Sequence, residues 1–155
     1  PVGRLDRDTT GLLLFTTDGE AAQRLLHPSF EKGKHYVALI EGRLGASERR
    51  QLEQGITLDD GPCAPARVEV IGPEDPRAAF VARRAAAGTS IVGLTIHEGR
   101  KHQVKRMLST VGHEVLALHR DTFGPLRLSG VRPGEWRMLT EAERKALLGA
   151  TRGER

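Results

Sequence analysis

Arg4, Asp6, Arg7 and Asp8 crowd into the segment VGRLDRDTTGLLLFTTDGE, immediately ahead of the apolar run Leu12-Leu13-Leu14-Phe15. Arg4 and Asp6 are two apart, so in extended backbone they point the same way. Arg7 and Asp8 read as a surface pair, worth about 0–1 kcal/mol. Asp6 is the candidate for chemistry. A carboxylate on a tight turn feeding a buried strand is fixed by the core behind it, and Thr9, Thr10 and Gly11 are placed to hold that turn. Such a group can serve as a nucleophile or a base.

A second cluster, Arg100, Lys101, His102, Lys105 and Arg106, lies far along the chain in GRKHQVKRMLSTVG. Val104, Met107, Leu108 and Val111 recur at i, i+3, i+4 and i+7, one face of a helix. The cations then occupy the first turns, where the helix macrodipole disfavours them by about 0.3–1 kcal/mol each. Stability alone would place acids there. A positive helix start preceded by Gly99 reads as a seat for phosphate. Tyr36, the single tyrosine, has Lys34 two positions before it on the same strand face. An aromatic ring beside cations suits stacking on a nucleobase, as well as ordinary core packing. Trp136 with Arg132 and Arg137 poses the same question more weakly. The six histidines show no HExxH spacing, and no Cys/His pair has finger spacing.

Several elements must position these groups. Leu12 to Thr16 is expected as a buried strand, and Asp18 as the cap of a helix from about Gly19 to His27, stopped by Pro28. KHYVALIE, 34–41, is a strand with His35, Val37 and Leu39 on one face and Tyr36, Ala38 and Ile40 on the other. Ser47 is expected to cap a helix ending at Gly55. Ile56–Leu58 and Ala66–Ile71 read as strands around a DDGPCAP turn, with Asp59-Asp60 as turn residues. Segment 72–79 is a loop, and no role follows from the sequence for 72–89. Ile91–His97 is a strand. Gly112 ends the basic helix. Glu114–His119 alternates, with Val115, Ala117 and His119 against Leu116 and Leu118. Thr140 to Glu143 is a capping box before a last helix. Strands follow strands through short turns, which points to an α+β fold with a mixed, largely antiparallel sheet flanked by helices.

The totals bound the rest. The chain has 155 residues, 38% hydrophobic and 28% charged, enough for one core. Lys plus Arg number 24 against 20 Asp plus Glu, for a net charge of +4. The sequence pI of about 9.7 is in the range of polyanion binders. A single cysteine, Cys63, excludes an internal disulfide and an all-cysteine metal site. No apolar run approaches the roughly 20 residues that cross a bilayer.

Four segments together resemble one family. GRLDRDTTGLLLFTTDGE is similar to the catalytic-aspartate motif of pseudouridine synthases of the RsuA type. EKGKHYVALIEG is similar to that family's tyrosine strand. HEGRKHQVKRMLSTVGHEVLALHRDTFGPLRL, followed by GEWRMLTEAE, resembles its third motif and C-terminal end. The likeness runs from Pro1 to about Leu148, in family order. It implies the pseudouridine synthase fold with an active-site cleft. It also implies detachment of a uridine in RNA at its glycosidic bond, rotation of the base and rejoining through carbon, without cofactor or metal. In this likeness Asp6 is the catalytic aspartate, Tyr36 packs against the target base, and Lys105 is the cation paired with Asp6. Arg4 contacts the flipped nucleotide or its phosphate. Arg100, Lys101, His102, Gln103 and Arg106, on the basic helix, are expected to bind RNA.

The HQVKRM form, with lysine at 105, resembles most closely the branch acting on small-subunit 16S ribosomal RNA. The implied partner is therefore that RNA or a small-subunit assembly intermediate, met by a cytoplasmic monomer without a membrane. The resemblance makes residues 1–150 a catalytic domain and 151–155 a frayed tail. Family members carry an S4-like RNA-binding domain and further strands ahead of GRLD, and these are expected to be missing here. The alternative reading is a non-catalytic RNA-binding module using the basic helix 100–112. A histidine-based metal hydrolase is a third and weaker one.

Overall fold

The structure is a computed structural model describing residues 1–27, 29–30 and 32–149. Its central strand is Lys34–Glu41 (β2), in agreement with the expected span. β2 lies antiparallel between Thr89–Ile96 (β6) and Val115–Phe123 (β7). Thr9–Gly11 (β1) adds to the far edge of β7 in parallel, and Arg67–Ile71 (β5) adds to β6, giving the order β1-β7-β2-β6-β5. Leu126–Arg127 (β8) folds back on β7. Thr57–Leu58 (β3), within the expected strand Ile56–Leu58, and Gly61–Pro62 (β4), within the expected turn, form a separate ribbon. The helices are Gly19–Leu26 (α1), Ala46–Gln54 (α2), Gln103–Thr110 (α3) and Glu141–Leu148 (α4). The α+β reading with a mixed, mostly antiparallel sheet is the observed architecture. No helix among the described residues is long and apolar enough to cross a membrane.

Both sheet faces are covered. On one, Ala38, Ile40, Val92, Leu94 and Ile96 pack against Leu52 of α2 and Val104, Met107 and Leu108 of α3. On the other, Val37, Leu39, Ile71 and Ile91 are covered by Ala78 and Val81. Ala78 lies in the first of two short 3-10 turns, Pro76–Phe80 and Ala82–Arg84, and Val81 joins them, so the 72–89 segment supplies the roof of that face. Phe80 stacks on the ring of His119, with centroids 4.1 Å apart. A third cluster, including Val2, Leu12, Leu14, Leu25, Phe123 and Leu147, binds the chain's start to α1 and α4.

Four expectations are corrected. The first strand is Thr9–Gly11 rather than Leu12–Thr16. Leu12 and Leu14 are buried, but the chain leaves the sheet there, Leu14 bridges only to Val2, and Phe15 is 65% exposed. The cap of α2 is Gly45 rather than Ser47, because the Glu48 carboxylate accepts the Gly45 N–H at 2.9 Å. Helix α3 starts at Gln103, so Arg100, Lys101 and His102 precede it. Finally, β7 does not alternate cleanly. Leu39 faces Ala117 and Ile40 faces Val115, leaving Leu116 as an extra residue; His35 faces Thr122 and Tyr36 faces Arg120, leaving Asp121 extra. These two bulges put Val115 with Leu118 on the α3 side and turn both Leu116 and Ala117 to the other. By contrast, Asp18 caps α1 and Thr140 with Glu143 boxes α4, as expected. The expected Pro28 stop and the tail 151–155 lie outside the described residues.

A polar network crosses the sheet on the face away from Tyr36. His35 Nδ1 lies 2.6 Å from Asp121 on β7, and its Nε2 lies 3.0 Å from Glu69 on β5. Arg77 on the roof donates to Glu69 and Asp75. The ring passes over Gly93, where a Cβ would stand 2.7 Å from His35 Nε2, so glycine is required there by close approach. Burial is the largest single influence on His35 and disfavours its charge. The hydrogen bonds and charges of Asp121 and then Glu69 act against it, and the net effect raises the pKa above the ordinary 6.5.

A raised histidine pKa contributes stability that is fully present below the unfolded value and is lost as pH climbs through the folded one. His35→Gln is therefore expected to cost about 1.5–3 kcal/mol near pH 6, the range for hydrogen bonds to charged groups. The difference from wild type is expected to shrink toward pH 9. Urea denaturation of both chains across that range checks it; a constant or growing difference contradicts it.

Candidate active site

The Asp6 turn hangs between two backbone anchors. The Asp6 carbonyl accepts the Thr9 N–H at 2.9 Å, closing the turn over Arg7 and Asp8. Downstream, β1 runs alongside Leu118–Arg120 of β7, and the Leu12 N–H bonds the Arg120 carbonyl at 2.8 Å. Gly11 has φ +119°, and a Cβ there would collide with the Arg120 backbone, so only glycine lets β1 dock this closely. The Arg120 guanidinium closes the joint by donating Nε and Nη2 to the Leu12 carbonyl at 3.0 and 2.8 Å. Upstream, the Val2 N–H bonds Leu14 at 2.7 Å. The Asp6 side chain is left 25% exposed.

Helix α3 presents its partners. The buried stripe of Val104, Met107 and Leu108 fixes its rotation. Lys105, between those positions, then points its ammonium at the turn, 3.6 Å from Asp6 Oδ2. The same Nζ is closer to Asp8, at 2.6 Å, and this hydrogen bond holds the Asp8 carboxyl below its ordinary pKa. His102 Nε2 lies 3.3 Å from Asp6 Oδ1. His102 adopts φ +52°, the one non-glycine residue with positive φ among the described residues. The approach to α3 is held by Gln103, which is buried. Its Oε1 accepts the Arg100 N–H at 3.1 Å, and its Nε2 donates to Glu98 at 3.0 Å.

One cleft of about 570 Å³ is lined by Asp6, Tyr36 and Lys105 together with Arg4, Arg100, Lys101, His102 and Gln103. Arg106 is not part of that lining. Arg106 and Arg100 both clamp Asp60, at 3.1 and 2.5 Å, and these hydrogen bonds hold the Asp60 carboxyl down at about 2. Asp60 is therefore more than the turn residue its sequence neighbourhood suggests. The structure gives Arg100 and Arg106 a carboxylate of their own, whereas Arg4 and Lys101 are exposed at the cleft. Trp136 is 79% exposed and is not among the lining residues, and Arg137 beside it is engaged by Glu143. Lys34 and Arg120 also line the cleft without having been singled out as site residues. Lys34 was legible from its spacing to Tyr36. Arg120 was not, because its place at the cleft depends on β7 pairing with β2 opposite Tyr36.

Chemically, the arrangement is a carboxylate between an ammonium and an imidazole, beside a phenol ring. A carboxylate so placed can attack carbon or take a proton.

Comparison with known proteins adds context. The family model described as RNA pseudouridylate synthase matches residues 1–110. A Bacillus subtilis (strain 168) protein named ribosomal large subunit pseudouridine synthase B is 44% identical over 147 residues, covering 95% of this chain and 56% of the relative. An Aquifex aeolicus (strain VF5) protein named uncharacterized RNA pseudouridine synthase is 40% identical over 150 residues, covering 97% and 55%. A pseudouridylate synthase of known crystal structure superposes with a TM-score of 0.80 at 34% identity, over 95% of this chain and 58% of that one. The chain thus spans little more than half the length of these relatives.

The left-handed conformation of His102 gives a stability test independent of chemistry. A non-glycine residue there costs about 1–2 kcal/mol, and β-branched residues tolerate it worst. His102→Gly is expected to hold or raise stability by up to about 1 kcal/mol, and His102→Val to lower it by about 1–2 kcal/mol. Chemical denaturation of the two variants against wild type checks the order; a reversed order contradicts the assigned backbone.

Proposed function

The chain belongs to the RNA pseudouridylate synthase family, and from that premise we propose that it isomerises a uridine of ribosomal RNA to pseudouridine. The observation that carries the reading is the meeting of Asp6, Lys105 and Tyr36 in one cleft from three separate parts of the chain. A base inside a helix cannot reach this carboxylate, so the target nucleotide must leave its stack. In this reading Tyr36 packs against the extruded base. Arg4 and Lys101, exposed at the cleft, hold the strand. Asp6 is the catalytic group, acting on the sugar, on the base, or as a proton acceptor. Lys105 orients Asp6, and His102 bounds its other oxygen. No cofactor enters the proposed reaction.

The choice of RNA rests on finer evidence. Lysine at 105 favours small-subunit 16S RNA by resemblance, on the strength of a single residue. The Bacillus subtilis relative, 44% identical along 147 residues, is named for the large subunit. The longer likeness outweighs the single position, and we take large-subunit RNA as the substrate. The binding-only alternative drew on the cations of segment 100–112, and Asp60 occupies two of those, Arg100 and Arg106.

Unmodified transcripts of large- and small-subunit RNA, incubated separately with the chain and mapped chemically for pseudouridine, test both points. Product is expected in the large-subunit RNA. Asp6→Asn is expected to reduce it at least roughly 100-fold, the lower bound for a positioned acid, base or nucleophile. RNA affinity should change little. Absence of product from both RNAs, or an Asp6→Asn variant as active as wild type, contradicts the proposal, and product in the small-subunit RNA alone contradicts the choice of substrate.

A further inference from the structure

Most cations at or near the cleft are accounted for. Lys105 meets Asp6 and Asp8, Arg100 and Arg106 meet Asp60, and Arg4, Arg7 and Lys101 are exposed to solvent. Lys34 and Arg120 are neither. Arg120 is 3% exposed and Lys34 is half-buried. Both line the cleft, and neither forms an ion pair with a described residue. They converge on one ring: the Lys34 ammonium lies 5.5 Å and the Arg120 guanidinium 5.3 Å from the centre of Phe123. A single aromatic face attracts a cation but does not neutralise two. The Arg120 donors Nε and Nη2 are spent on the Leu12 carbonyl, which neutralises no charge. Gly99 lies beside the Lys34 ammonium, where a Cβ would stand 3.4 Å from it.

Two like charges drawn out of water side by side destabilise the free protein. Burial, with Arg120 adding to it, depresses the Lys34 pKa below the ordinary 10.5. Such a pair is retained at a cost to stability unless an anion completes it.

We propose that Lys34 and Arg120 form an anion seat in the cleft that takes a phosphodiester group of the RNA strand next to the target uridine. The proposal rests on the uridine-isomerising reading of the cleft. The register supports the placement. Tyr36 pairs across the sheet with Arg120, and Lys34 lies two residues further along the same face, paired with Phe123. A base packed on Tyr36 therefore has the two cations to one side of it, where its own backbone must run. The seat fixes the nucleotide by its phosphate while Asp6 addresses the sugar and base.

Lys34→Met, which keeps length and removes charge, provides the test. The melting temperature of the free chain is expected to stay level or rise. Affinity for an RNA oligonucleotide containing the mapped uridine is expected to weaken roughly 10- to 100-fold, the range for a hydrogen bond to a charged group. An oligonucleotide with a neutral methylphosphonate at one linkage flanking that uridine should cost the wild type a similar factor and cost Lys34→Met nothing further. Without any RNA, inorganic phosphate should raise the wild-type melting temperature more than that of the variant.

A lowered melting temperature with unchanged RNA affinity makes Lys34 structural and overturns the proposal. Equal losses of wild type and variant on the neutral linkages also overturn it. If instead the turnover rate falls while affinity and the response to neutral linkages stay put, the anion is charge developing on the base and the phosphate assignment fails. If no uridine is modified by wild type, the isomerase reading fails, and the inorganic phosphate arm alone decides the seat.

Discussion

The docking of β1 onto β7 is the joint on which the site depends. It brings a turn near the start of the chain against a strand more than a hundred residues later, and it does so through one absent side chain. Gly11 admits the Arg120 backbone, and the Arg120 guanidinium then returns to grip the Leu12 carbonyl. Beyond this joint the chain turns into the cleft, and the turn carries Asp6. Because β7 is also hydrogen-bonded to β2, the same strand sets the distance from Asp6 to Tyr36. The third element, α3, is rotated by its apolar stripe until Lys105 faces the turn. Three packing decisions therefore converge on one small polar volume.

The electrostatics of that volume follow a division of labour. Asp60 absorbs Arg100 and Arg106 on the outer side of the α3 approach. Lys105 is shared, nearer to Asp8 than to Asp6. Asp8 is 79% exposed, so its hold on the ammonium is that of a solvated partner and is weak. Behind the sheet, His35 ties β7, β2 and β5 together through Asp121 and Glu69. That network sits at the Asp121 bulge, the residue next to Arg120, which faces the cleft.

Much of this was readable from local signals. The β2 span follows from alternation, α1 from Asp18, and α4 from Thr140 and Glu143. Asp6, Tyr36 and Lys105 stood out as residues, although their pairing came from family likeness rather than spacing. The losses have a common cause. Leu12 to Thr16 has strand composition, but past Leu12, which still bonds Arg120, the backbone partner is Val2 and not the sheet, which no local pattern records. The β7 faces depend on bulges dictated by β2. Asp60 looks like a turn aspartate until α3 packs beside it, and Arg120 is one more arginine in HRDTF until a distant glycine docks on it. In each case the deciding neighbour is remote in sequence.

The central claim is that Asp6 and Lys105 act as one unit. A double-mutant cycle on product formation measures this directly, using Asp6→Asn, Lys105→Met and the combined variant. Residues acting as a unit give strongly non-additive losses. The account predicts that the combined variant is no slower than Asp6→Asn alone. Losses that multiply across the two positions would show the groups working independently, and would contradict it.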